Sequence, residues 1–136
     1  MEKSYKSVLK LSKLLFEKIE FDRLATEKSQ NDIQFGLNIQ IGENAEYHRY
    51  KVTLDLRGEK KSEYTVQLVL TGYFDFEEHD DPITDELRDE LIKSNTVAIM
   101  MPYLRSELSL LTAQPNVDCI VLPPLNVVKM MKTEEK

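Results

Sequence analysis

The chain has 136 residues and a mass of 15.8 kDa, the size of one domain that buries roughly 70% of its unfolded surface without help from a disulfide or metal. Hydrophobic residues at 41% and charged residues at 31%, with only four Gly and five Pro, exclude a fibrous or disordered chain. The net charge of −6 is unevenly placed: residues 75–90 carry nine acids against Arg88, and the rest is slightly basic without the concentrated basic face of a nucleic-acid binder.

The first stretch, Ser4 to Leu15, sets Tyr5, Val8, Leu9 and Leu15 among lysines, which predicts a short amphipathic helix and so a helical extension over 1–15. From Phe16 the pattern changes to a strand, with Ile19 and Phe21 alternating with Lys18, Glu20 and Asp22. Leu24 to Asp32 is polar and aperiodic, a connection. Three alternating strands follow: Phe35, Leu37, Ile39 and Ile41; then Val52, Leu54 and Leu56; then Tyr64, Val66, Leu68 and Leu70, running on to Phe74. Turns are expected at 42–45 and 58–61. Short connections between one-sided strands predict antiparallel hairpins with one dry and one wet face.

Asp81-Pro82 is a plausible helix start, with Asp85 and Glu86 near the positive end of the dipole. A helical pattern then runs from about Ile83 to Thr112, and Pro102 predicts a kink near Met101. Val97, Met100, Met101, Leu104, Leu108 and Leu111 recur at 3–4 spacing on one face, while Ile99, Tyr103 and Leu110 extend the apolar surface round the other side. A helix apolar on two sides is covered twice. A domain this short has one sheet, so the second cover is expected to be another copy of the chain, with Val97, Met100, Met101, Tyr103, Leu104 and Leu108 at the oligomer interface. After a turn at 114–118 come an extended piece, Cys119 to Leu122, and the stop Pro123-Pro124. Leu125 to Met131 is a candidate last helix, ending in a charged tail, 132–136.

No constellation carries catalysis. Cys119 is single, precludes an internal disulfide or Cys-based zinc site, and is expected as a small buried hydrophobe. His48 and His79 are far apart, and the acids around His79 lack the alternate spacing and central glycine of a calcium loop. The glycines are scattered singly, so there is no phosphate loop. No enzyme activity, metal or cofactor is expected. No apolar run approaches the ~20 residues of a membrane span, and Lys3, Lys6, Lys10 and Lys13 interrupt any signal-peptide core. A cytoplasmic chain without membrane insertion is expected.

The C-terminal third supplies a resemblance. Asn95 to Glu107, with Pro102-Tyr103-Leu104-Arg105 at its centre, resembles the long helix of SecB, the bacterial export chaperone family, and Ile120 to Asn126 resembles the segment after it. Thr71-Gly72-Tyr73-Phe74 is similar to the end of the family's last strand. The resemblance implies an α+β fold: a four-stranded antiparallel sheet with a long helix and a short C-terminal helix on one face, assembled as a dimer of dimers. It implies an ATP-independent holdase that binds unfolded polypeptides or preproteins in apolar grooves. By alignment the substrate-binding positions are Phe35, Leu37, Ile39, Val127, Met130 and Met131; ordinary core packing is the alternative for each. The positions that face the SecA motor in the family hold Lys18, Asp22, Thr65 and Gln67, of which only Asp22 is acidic. That departure weakens the case for SecA as a partner and leaves open a SecB-like adaptor for one partner, such as an antitoxin.

Overall fold

The computed structural model describes residues 9–44, 49–76 and 85–122. Four strands, β1 (Leu9–Arg23), β2 (Ile33–Asn44), β3 (Arg49–Lys60) and β4 (Tyr64–Phe76), precede one helix, α1 (Asp85–Thr112). All neighbours are antiparallel and the order across the sheet is β1-β4-β3-β2. The connection 24–32 therefore carries the chain from one edge of the sheet to the other, past both central strands.

Burial follows the pleat. On β3, Tyr50, Val52, Leu54 and Leu56 face inward; on β4, Tyr64, Val66, Leu68, Leu70, Phe74 and Phe76 do so. Helix α1 covers this face, packing chiefly on β4 with smaller contacts to β1 and β3. Its inward stripe of Ile92, Val97, Met100, Met101, Leu104 and Leu108 is almost fully buried. Buried Thr96 and Thr112 satisfy their hydroxyls within the helix, donating to the carbonyls of Ile92 at 2.6 Å and Leu108 at 2.8 Å. Pro102 and Ala98, whose carbonyl the missing Pro102 N–H would have served, are both solvent-exposed, and the helix runs continuously through the proline.

Three elements differ from the sequence-based expectation. Residues 9–15 are strand, not helix: they pair with β4, and β1 carries two register shifts, between Leu11 and Lys13 and between Phe16 and Lys18. Each bulge adds a residue, so the inward positions are Leu9, Leu11, Leu14, Phe16, Ile19 and Phe21, at spacings of two and three that break the strict alternation of a strand. Strand β3 runs through Gly58 to Lys60, and the turn lies at 61–63 with Ser62 in the left-handed region (φ 67°). Cys119 is exposed, its thiol directed at the Ser109 carbonyl, and 119–122 is irregular rather than a strand. Of the turn expected at 42–45, residues 42–44 are instead the end of β2. Residues 1–8 and 45–48, most of the acidic stretch, both histidines, the candidate helix Leu125–Met131 and the tail lie outside the described residues.

Candidate functional site

The sheet is wider than the helix that covers it. Tyr50, Val52 and Leu54 on β3 and Leu68, Leu70 and Phe74 on β4 are buried, whereas the inward residues of the two edge strands, apart from Leu9 and Leu37, are only half covered or exposed. On β2, Phe35 and Ile39 are half-buried, Ile41 is 36% exposed, and Leu37 alone enters the core at 7%. On β1, Leu11 is 37% and Ile19 49% exposed, with Leu14, Phe16 and Phe21 half-buried. A continuous apolar floor thus runs out from under α1 toward both sheet edges, and solvent reaches its margins.

The floor is shaped by specific contacts. The Phe35 ring lies across its cross-strand partner Gly58, so close that a Cβ at position 58 would stand 2.7 Å from Phe35 Cε1 and 2.8 Å from Val66 Cγ1. At the β1 side, Phe21 stacks on Tyr64 with ring centroids 4.7 Å apart. The edges themselves differ. Edge β1 bears Lys10, Lys13 and Lys18 and two bulges, features that deter the addition of a further strand. Edge β2 pairs with β3 in an unbroken register and carries no charge from Ile33 to Ile41, so its outer backbone groups are open to a strand-like partner within the described chain.

The connection 24–32, which leads into β2, is anchored by a buried carboxylate. Glu63 is fully buried; its Oε1 accepts from the Ser29 amide at 2.8 Å and from Lys60 Nζ at 2.9 Å, and its backbone carbonyl accepts from the Leu24 amide at 2.8 Å. The Ser29 hydrogen bond, then that of Lys60, hold the Glu63 carboxyl below the ordinary glutamate range against the opposing cost of burial. On the far side of the connection, Lys28 meets Asp118 at 2.8 Å and Asn116 donates to the Thr26 carbonyl at 2.7 Å. The segment after α1 is thereby tied to the same connection.

Of the substrate-binding positions expected from sequence, Phe35, Leu37 and Ile39 share one strand face, with Leu37 given over to the core. Val127, Met130 and Met131 lie outside the described residues. Leu11, Leu14, Ile19 and Ile41 belong to the same inner face; Ile19 and Ile41 stand in the alternations legible from sequence, whereas the unequal spacing of β1 hides Leu11 and Leu14. The oligomer positions need correcting as well. Val97, Met100, Met101, Leu104 and Leu108 are at most 5% exposed inside the protomer because they pack on its own sheet, and Tyr103 alone of the six faces outward. The outward apolar residues of α1 are Ile99 at 37%, Tyr103 at 49% and Leu110 at 67% exposure. Among the described residues no group of three or more His, Cys, Asp or Glu could hold a metal ion, and no helix is long and apolar enough to cross a membrane.

No protein-family model matches the chain. A protein of Methanocaldococcus jannaschii, "Uncharacterized protein MJ0357", is 31% identical over an alignment of 149 positions that covers all of this chain and 90% of the relative. Among solved structures, the Mycobacterium tuberculosis Rv1957 SecB-like chaperone, in complex with a ChAD peptide from the Rv1956 HigA1 antitoxin, superposes with a TM-score of 0.71 over 89% of this chain and 90% of that one, at 13% identity. The fold is therefore SecB-like. A protein of unknown function from Streptococcus agalactiae matches more loosely, with a TM-score of 0.46 and 8% identity over 85% of this chain and 96% of that one.

Proposed function

We propose, for a chain that belongs to the same family as MJ0357 and carries a SecB-like fold, that it is an ATP-independent chaperone that holds unfolded polypeptides on its apolar inner sheet face. The observation that carries this reading is the half-covered floor at the sheet edges, Phe35, Ile39 and Ile41 beside the open backbone of β2 and Leu11 and Ile19 on β1. Each apolar side chain that a client covers there contributes up to about 1.5–3 kcal/mol before ordering costs. Several such sites along one unfolded chain bind it by avidity, with little sequence preference and no catalytic group.

The chaperone works as an oligomer, through the outward stripe Ile99, Tyr103 and Leu110, with a dimer of dimers as the assembly the SecB resemblance implies. The client chemistry is an extended segment with alternating apolar side chains; preproteins bound for export satisfy it. The case for SecA as a further partner is weak, since Lys18, Thr65 and Gln67 stand on the outer face and Lys18 is paired with Glu20 at 3.4 Å. The cytoplasm is the compartment in which such clients are met.

A second reading has one observation in its favour. The solved chain of like fold is described with a peptide from an antitoxin, which supports a dedicated adaptor for one such partner. The two readings separate in one experiment. Chemically denatured proteins of unrelated sequence are diluted with and without the chaperone in molar excess, without ATP, and turbidity is followed. Suppression for several of them supports the general holdase; suppression for none, with protection of one cognate partner, supports the adaptor.

A further inference from the structure

The connection 24–32 crosses from one edge of the sheet to the other with no buried residue of its own: Ala25 and Ser29 are half-buried and the rest are exposed. Apolar burial does little to hold it, and its backbone is fastened by polar ties in two directions. Toward the β3–β4 turn, the amides of Leu24 and Ser29 donate to the carbonyl and carboxylate of Glu63, and Asn31 Nδ2 donates to the Lys61 carbonyl at 3.0 Å. Toward the segment after α1, Asn116 donates to the Thr26 carbonyl and Lys28 meets Asp118. The Lys28–Asp118 pair is exposed, with side chains 45% and 72% accessible, and contributes little. That leaves Asn116 as the principal tie on this side. Its φ of 62° is a conformation that asparagine adopts more readily than most residues, and its side-chain amide reaches Thr26 from there.

The segment 113–120 is fastened in turn to the last turn of α1. Both backbone groups of Ile120 are held by hydroxyls: its amide donates to Thr112 Oγ1 at 2.9 Å, and its carbonyl accepts from Ser109 Oγ at 2.7 Å. Gln114 Nε2 donates to the Leu111 carbonyl at 2.7 Å. Val117 is the one buried side chain between 113 and 120. The ties thus form one series, from Glu63 through the connection and the post-helix segment to Ser109 and Thr112. Neither of the two middle segments buries enough apolar surface to stay in place once its neighbour leaves. Ser29 Oγ and Glu63 Oε2 are buried without a partner among the described residues, so release of the connection gives both access to water and offsets part of the lost bonding.

We infer that residues 24–32 and 113–120 are one conformational unit, a strap that opens and closes as a whole while the sheet and α1 stay folded. Asn116 is its central tie. The strap joins the last turn of α1 to the start of β2, so a perturbation at either end is felt at the other. It is a property of the fold and is independent of what the inner sheet face holds.

The test is native-state amide hydrogen exchange of the full-length protein, resolved by residue with NMR over a series of low denaturant concentrations. The amides of Leu24, Ser29, Val117 and Ile120 are expected to share one opening free energy and one denaturant slope, both smaller than those of the β3–β4 ladder. Ser109→Ala removes the bond to Ile120 and touches no residue of 24–32. It is expected to speed exchange at Leu24 and Ser29 as much as at Ile120, roughly fivefold. Asn116→Asp, which tolerates the same backbone conformation and loses the donor, acts in the same direction on all four amides. Both positions lie outside the buried core, so the circular dichroism spectrum is unchanged in either variant. Faster exchange at Ile120 with Leu24 and Ser29 unaltered makes the two segments independent and overturns the inference. So does exchange of all four amides at the rate of the β3–β4 ladder, since the strap then opens only when the domain unfolds.

Discussion

The ring of Phe35 occupies the place where a side chain on Gly58 would stand: a Cβ there would come within 2.7 Å of Phe35 Cε1. The glycine is needed for close approach and not for a turn, because position 58 is inside β3 in ordinary extended backbone. Phe35 can thus lie flat on the sheet beside Val66 and form part of the apolar inner floor. Gly58→Ala forces the ring or Val66 aside, with an expected loss of about 1–3 kcal/mol in stability. Chemical denaturation measures it, and an unchanged midpoint would show that Phe35 yields without strain.

Glu63 links stability to pH. Its folded-state pKa lies below the unfolded value, so the unfolded chain takes up the proton first as pH falls. The stabilisation is fully present above the ordinary glutamate value of about 4.3 and is lost as pH drops through the lowered folded value. Glu63→Gln is expected to lose about 1–3 kcal/mol at pH 7, the worth of a charged hydrogen-bond acceptor, and to show a shallower decline of unfolding free energy in acid than the parent. A parallel pair of curves would remove Glu63 as the acid-sensitive anchor of the connection 24–32.

The two faces of α1 make opposite predictions. Tyr103→Asp with Leu110→Asp alters residues exposed by 49% and 67%, so the protomer stays folded while the assembly comes apart, read as a lower sedimentation coefficient with an unchanged circular dichroism spectrum. Leu104→Asp, at a position fully buried between α1 and the sheet, unfolds the protomer instead, since an unpaired buried charge costs several kcal/mol. If the outward pair leaves the sedimentation coefficient unchanged, the interface is elsewhere.

The client floor is tested at its exposed margin. Ile39→Asp with Ile41→Asp changes half-buried and 36% exposed residues and is expected to weaken binding of an unfolded chain about tenfold, because each site forfeits roughly 0.7 kcal/mol of apolar burial against the client. Leu37, only 7% exposed, is a poor probe, because a charge there damages the core as well as the floor. Binding competition with a fluorescent unfolded peptide reads the effect.

Much of this was visible in the sequence, and the failures share a cause. Strict alternation revealed β2, β3 and β4, because each pairs without interruption and every second residue meets the core. In β1 the bulges at Ser12 and Glu17 reset the phase, so no strict alternation runs through Leu9, Leu11, Leu14 and Phe16, and Leu15, part of the helical pattern, stands on the outer face opposite Thr71. Gly58 looked like a turn because glycine's second use, leaving room for a neighbour's ring, is a tertiary fact. On α1 the two apolar faces were legible from spacing. Which of them meets the sheet is set by the register of the whole helix on β4, and five of the six expected oligomer residues belong to the sheet side.

The central claim is that the half-covered inner face holds unfolded chains without ATP. It is tested most directly by the turbidity of a chemically denatured model protein diluted into buffer with this protein in molar excess, compared with the Ile39→Asp/Ile41→Asp variant. Suppression by the parent and markedly less by the variant at equal fold content is the expected result. Equal suppression by both, or none by either across several unrelated denatured proteins, would contradict it.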